Sequence, residues 1–288
     1  MSKGIDNGAN KLQIKEFTLN EMVKDPSIIM IAKRGSGKSW VARAILHHFR
    51  KIPVGIIIAP TDRMNSFYGK FFPNSYIFYE YKTEIIEKIL ARQIMIIKKA
   101  KEKKEIGQYV NTKAFIIMDD CLGQKKSWAN DRPVQELLFN GRHYRIMYIL
   151  TMQYPLGISP DLRSNFDYIF LLAEDTISNL KRIFDHYAGI FPDFGSFRQV
   201  FSQLTDDFGS MVIINRGARK SFLEKVKWYK APAISVDDSS FGCKQFRKFN
   251  RENYDESWED RVKLFDINEF VYNKKKDKSK LAIEKLED

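Results

Sequence analysis

The chain has 288 residues, 44% apolar and 29% charged, enough for one large α/β core with extensions and unlike a disordered or fibrous protein. The cysteines are only Cys121 and Cys243, which excludes a disulfide framework and a cysteine–zinc cluster and points to a reducing compartment. No apolar run reaches membrane-spanning length and no signal-peptide hydrophobic region is expected, while the net charge of +12 fits either a polyanionic partner, nucleic acid first, or a lysine- and glutamate-rich solvated surface.

Residues 1–20 are polar and predict a loose arm, or an edge strand over Lys11–Leu19. The apolar run Ile28–Ile31 then meets a glycine-rich turn and a helical pattern (Val41, Ile45, Leu46, Phe49), predicting strand, loop and a helix from Lys38 to about Arg50 that Pro53 stops. Val54–Ala59 reads as a strand buried on both faces. Residues 62–82 are turn-rich, with one short strand at Tyr76–Phe78. Thr83 is expected to cap a long helix carrying Ile86, Leu90, Ile94 and Ile97, with Gly107 as its stop. The charged run from Lys98 reads as a solvated helix end rather than a DNA contact.

Ala114–Asp120 is the third buried strand, and Asp131–Gly141 a helix with Pro133 in its first turn. Ile146–Leu150 is the fourth strand, closed by Thr151-Met152-Gln153, and Tyr168–Leu172 the fifth. Strands alternating with helices predict an α/β protein with a doubly wound, mainly parallel sheet. A helix over Thr176–Tyr187 follows, then a capping-box pattern at Ser196-Phe197-Arg198-Gln199 and an antiparallel hairpin of Ser210–Ile214 with Phe222–Trp228 at the sheet edge. Pro232 marks a boundary. Residues 233–256 read as polar and turn-rich, Ser257–Tyr272 as a short amphipathic helix anchored by Trp258, Val262 and Phe265, and the end from Asn273 as charged. The expected organisation is an arm (1–20), a P-loop domain (21–232) and a basic extension (233–288).

Ala32-Lys33-Arg34-Gly35-Ser36-Gly37-Lys38-Ser39, followed by Trp40, matches the phosphate-loop pattern except that Ala32 replaces its first glycine. Gly35 and Gly37 let the backbone curl its N–H groups toward phosphate oxygens, and the helix beginning at Lys38 adds its positive dipole end. Lys38 can reach the β- and γ-phosphates, and the Ser39 hydroxyl can ligate Mg²⁺. Asp119 ends the third strand, where a P-loop fold holds its metal through an acid, and Asp120 is placed to polarise an attacking water. Two adjacent acids there are costly unless they face a cation or solvent. Gln153 lies beyond the carboxyl end of its strand, near an expected γ-phosphate. Arg142 and Arg145 precede that strand and belong to the opposite rim, where a charge serves a neighbouring subunit more readily than its own. Arg163 is the second candidate for such a finger, and for either arginine a surface salt bridge is the plain alternative. His143 has no histidine partner at metal spacing.

AKRGSGKS, IIIAPTD, FIIMDDC and GRHYRIMYILTMQYPLGISPDLRSNFDYIFLL, in that order, resemble the genome-packaging ATPases of large nucleocytoplasmic DNA viruses, the poxvirus type within the FtsK–HerA group. The resemblance spans about Ile28 to Trp228. It implies a RecA-like P-loop core that binds ATP and Mg²⁺, hydrolyses ATP and assembles as a homo-oligomeric ring around double-stranded DNA. Capsid or portal-vertex components are implied as partners, no membrane is, and the virion and the assembly sites of the host-cell cytoplasm are the implied locations. Lys38 and Ser39 match the nucleotide lysine and metal serine, Asp119 the metal acid, and Gln153 the sensor glutamine. Asp120 matches the catalytic carboxylate, a glutamate in the bacterial DNA pumps. Arg142 matches the arginine before their fourth strand and ranks above Arg163 as the finger. Two rival readings remain: a P-loop kinase of small molecules, and a nucleotide-bound virion scaffold or DNA-binding adaptor without turnover.

Overall fold

A computed structural model describes residues 12–124, 128–217, 221–235 and 241–258. Its centre is one sheet of eight strands: β1 (Ser27–Ile31), β2 (Val54–Ile58), β3 (Ile77–Phe78), β4 (Ala114–Met118), β5 (Ile146–Met152), β6 (Tyr168–Leu172), β7 (Gly209–Ile214) and β8 (Val226–Lys230). The spatial order is β3-β2-β4-β5-β1-β6-β7-β8. Strands β1 to β6 pair in parallel, and β7 is antiparallel to both its neighbours.

The unbroken apolar runs of β4 and β5 are buried at every residue, because helices cover both faces of the sheet. Alternation divides the core. Ile29 and Ile31 of β1 face a layer that includes α2 (Thr83–Glu105), α3 (Arg132–Asn140), α4 (Ile177–Tyr187) and α5 (Phe194–Leu204). Ile28 and Met30 face α1 (Lys38–His48) and α6 (Lys244–Asn253). Register places Ile31 beside Met152 and Met118 beside Leu150. The segments that leave β1, β4 and β5 therefore emerge together at the carboxyl rim.

Five local expectations give way to tertiary structure. Residues 15–17 meet β8 through a single bridge, Glu16 opposite Trp228, rather than a strand. The N-cap of α2 is Lys82, because the Thr83 hydroxyl is taken by Asp131 at 2.6 Å, tying α2 to the start of α3. The cap of α5 is Asp193, whose carboxylate accepts the Ser196 N–H at 2.8 Å, so Ser196 lies inside the helix. Phe222–Lys225 form one helical turn closed by reciprocal bonds between Ser221 and Glu224, which delays β8 to Val226. The stretch read as turn-rich contains α6. Its few apolar residues sufficed because Phe246 stacks on Tyr76, ring centroids 3.9 Å apart. The expected helix over residues 257–272 lies outside the described residues beyond Trp258, which stacks on Tyr79 at 6.0 Å.

Candidate nucleotide site

Ala32 prolongs the ladder between β1 and β5, its N–H donating to Met152 O at 3.0 Å. It is buried and has no positive φ, so the position that departs from the glycine pattern needs no glycine. Gly35 (φ +76°) and Gly37 (φ +94°) do occupy the left-handed region. Between them the Ser36 hydroxyl donates to Lys33 O at 2.8 Å and closes the turn. Gly37 is the N-cap of α1, so the helix's unpaired N–H groups and dipole end open onto the loop.

Lys38 and the two aspartates meet. The Lys38 Nζ lies 3.1 Å from Asp119 Oδ1 and also contacts Asp120 Oδ1, with all three side chains largely buried. Neither contact has hydrogen-bond geometry, which leaves Lys38 Nζ and Asp120 Oδ1 as buried polar atoms without a hydrogen-bond partner. An ammonium so placed fits phosphate oxygens, and the carboxylate fits a hydrated cation or a water. Asp120 has φ +54°, a left-handed turn that aspartate tolerates, and it swings the carboxylate out of line with β4. A relay fixes this geometry: the Asp120 N–H donates to Thr151 Oγ1 at 3.1 Å, and the same hydroxyl donates to Asp119 Oδ1. Ser39 stands half-buried in the first turn of α1, beside Lys38.

Two residues that the sequence reading missed complete the Asp119 environment. Tyr68 donates its hydroxyl to Asp119 Oδ2 at 3.1 Å. Burial first and the Asp119 charge second drive its phenol pKa well above the ordinary value, so it stays a donor at neutral pH. Asp62 accepts the N–H groups of Tyr68 at 2.7 Å and Gly69 at 3.3 Å and so shapes the turn that presents Tyr68. Burial pushes the Asp62 pKa up against those bonds, and Asp119 adds to the rise. A signal existed: Asp62 closes the β2 exit as Asp119 closes that of the adjacent β4.

Gln153 leaves β5 one residue after the Ala32–Met152 bond, half-buried at the same rim. Trp40 is 49% exposed in the first turn of α1. Lys33 pairs with Asp175, and Arg34 is exposed. Arg142 lies at the opposite, amino rim, exposed between α3 and β5. There it lines a cleft of about 350 Å³ with Lys24, Asp25, Arg145, Asp167 and Arg216. Arg163 is only 9% exposed, its guanidinium 5.5 Å above the Tyr187 ring of its own chain.

Comparison with known proteins places this arrangement. A profile of the poxvirus A32 protein matches residues 14–187. The chain belongs to the poxvirus A32 protein family. This A32-family chain is 47% identical to protein L437 of Acanthamoeba polyphaga mimivirus over 276 residues, covering 95% of this chain and 96% of that protein. It is 35% identical to protein 075L of Invertebrate iridescent virus 6, over 87% of this chain and 94% of the other. Among solved structures it is similar to the genome packaging NTPase B204 of Sulfolobus turreted icosahedral virus 2 bound to sulfate, with TM-score 0.51 and 14% identity over 73% of this chain and 98% of that one. That likeness is one of fold: a mainly parallel α/β sheet of the P-loop ATPase kind, closed by antiparallel strands.

Proposed function

We propose that the chain is an ATP-driven double-stranded DNA translocase that packages a viral genome, hydrolysing ATP to ADP and phosphate as a homo-oligomeric ring. The observation that carries this is the split between the two rims of the sheet. Lys38 is buried between Asp119 and Asp120 at one, and Arg142 is exposed at the other. Family membership and a fold shared with a genome packaging NTPase support it.

In this mechanism the loop N–H groups and Lys38 bind the β- and γ-phosphates. Ser39 and Asp119 would hold Mg²⁺, which neutralises charge on the transferring phosphoryl group. Asp120 orients the attacking water, and Gln153 senses the γ-phosphate. Thr151 and Tyr68 hold Asp119 in place. A finger offered to a neighbour has to be exposed, which favours Arg142 over the packed Arg163. The surplus of positive charge serves the DNA backbone, and capsid or portal-vertex components are the further partners at assembly sites in the infected cell. Steady-state ATPase assays with and without duplex DNA, run beside a native mass measurement, test the proposal. Duplex should stimulate turnover in an oligomer, and DNA affinity should fall with salt by a log–log slope near −0.9 for each phosphate neutralised. Nucleotide binding without turnover on DNA, or a flat salt response, would overturn it.

A further inference from the structure

Beside the phosphate loop stands an aromatic ring that the packed core does not use. β7 runs antiparallel to β6, so its start lies at the carboxyl rim. The residue just before it, Phe208, is 61% exposed. A Cβ built on Gly37 would lie 3.5 Å from Phe208 Cδ1, so the ring touches the last residue of the loop. An exposed phenylalanine is ordinary by itself. This one is held out by strain: Asp207 (φ +46°) and Phe208 (φ +59°) are consecutive non-glycine residues in the left-handed region. Such backbone persists only where its surroundings impose it, and it concentrates at ligand sites.

The surroundings do impose it. Asp207 pairs with Lys230 of β8, and its N–H donates to Asp206 Oδ1 at 2.9 Å. The Gly209 N–H donates to Asp206 O at 2.8 Å. A Cβ on Gly209 would sit 2.3 Å from Leu204 O, so the turn is wedged against the end of α5. In the first turn of α1, Trp40 donates its backbone N–H to Gly37 O at 3.0 Å, and its side chain is half-exposed. Phe208 is thus the exposed ring beside Gly37, where the loop meets α1.

We infer that Phe208 is the stacking platform for the nucleotide's base, an inference that rests on the ATP reading above. An exposed π-face fixed before binding loses little freedom on contact, and stacking is available to any base, purines above all. The clamp on Asp207 thus makes Phe208 a binding residue for nucleoside triphosphate, beyond the phosphate loop itself.

Calorimetric titration of the full chain with ATPγS and with inorganic tripolyphosphate tests this. Phe208→Ala should weaken ATPγS binding about tenfold, the effect of one base–aromatic stack, and leave tripolyphosphate unchanged. Phe208→Tyr should bind ATPγS as the parent does. Phe208→Gly relieves the backbone strain and should show the same selective loss as alanine, so misfolding cannot imitate the result. ATPγS affinity in Phe208→Ala within about twofold of the parent, or equal losses for both ligands, would overturn the stack. A parent chain that binds tripolyphosphate but gains nothing from the nucleoside would overturn it too. A parent that binds neither ligand would instead remove the ATP reading, and the stack with it.

Discussion

The two rims of the central sheet are built on opposite electrostatic plans. At the carboxyl rim charge is buried and paired: Lys38 lies between Asp119 and Asp120, with Thr151 and Tyr68 hydrogen-bonded to Asp119. At the amino rim cations are in surplus, and Lys24, Arg142 and Arg145 are exposed. Lys24, Arg142, Arg145 and Arg216 surround only Asp25 and Asp167 in a shallow cleft. Asp25 is shared, 3.4 Å from Lys113 and 3.9 Å from Arg145, and Arg216 lies 3.4 Å from Asp167. Arg142 makes no ion pair among the described residues. The contrast teaches that one subunit holds a preorganised acid–lysine centre and carries its exposed cation where that centre cannot use it. In the proposed ring, apposing the two rims would resolve the mismatch.

The largest effect that would break this comparison is on turnover. Arg142→Ala should lower kcat by about 10³–10⁵ with ATP binding retained, the range seen when a phosphoryl-transfer finger is lost. Mixing Arg142→Ala with Asp120→Asn subunits should recover part of the rate, because some interfaces then join an intact Arg142 to an intact Asp120. A loss below about tenfold, or no recovery on mixing, would separate the rims functionally.

The next effect sharpens the buried rim. Tyr68→Phe leaves Asp119 Oδ2 without its 3.1 Å donor in a buried site. Urea unfolding should show a loss of about 1–3 kcal/mol, and half-maximal turnover should need more Mg²⁺. Unchanged stability together with an unchanged Mg²⁺ requirement would deny Tyr68 its positioning part.

The smallest effect concerns Asp62. Its folded-state pKa is raised above the ordinary 3.8, so the folded protein binds that proton more readily than the unfolded chain. Stability from this group is therefore present at low pH and lost as pH rises through the folded pKa, and at neutral pH the buried charge is a net cost. Asp62→Asn keeps an acceptor for the Tyr68 N–H and removes the charge. It should match or exceed parent stability at about pH 7, by less than roughly 1 kcal/mol, with the gap closing near pH 4. A clear destabilisation at neutral pH would show that the carboxylate's bonds to Tyr68 and Gly69 outweigh its desolvation.

The core strands were readable because double burial favours apolar runs, as in AFIIM and IMYIL. The loop was readable because phosphate recognition needs glycine at Gly35 and Gly37 and an ammonium next to them. Tyr68, Thr151 and Phe208 were not readable. Each reaches the site from a different strand, after β2, within β5 and before β7, and nothing in its own neighbourhood says so. α6 was hidden by its charge, since a helix with one buried phenylalanine has little periodic signal.

Sequence alone settled which residue types stand where a strand ends: glycines and Lys38 after β1, paired acids after β4, an amide after β5. Local chemistry is sufficient there because short-range backbone sterics and hydrophobic periodicity act within a few residues. The strand order settled which of those ends are neighbours, and thus that Lys38 lies between the two aspartates. That outcome depends on pairings between strands more than a hundred residues apart, such as Ile31 with Met152, which no local pattern encodes.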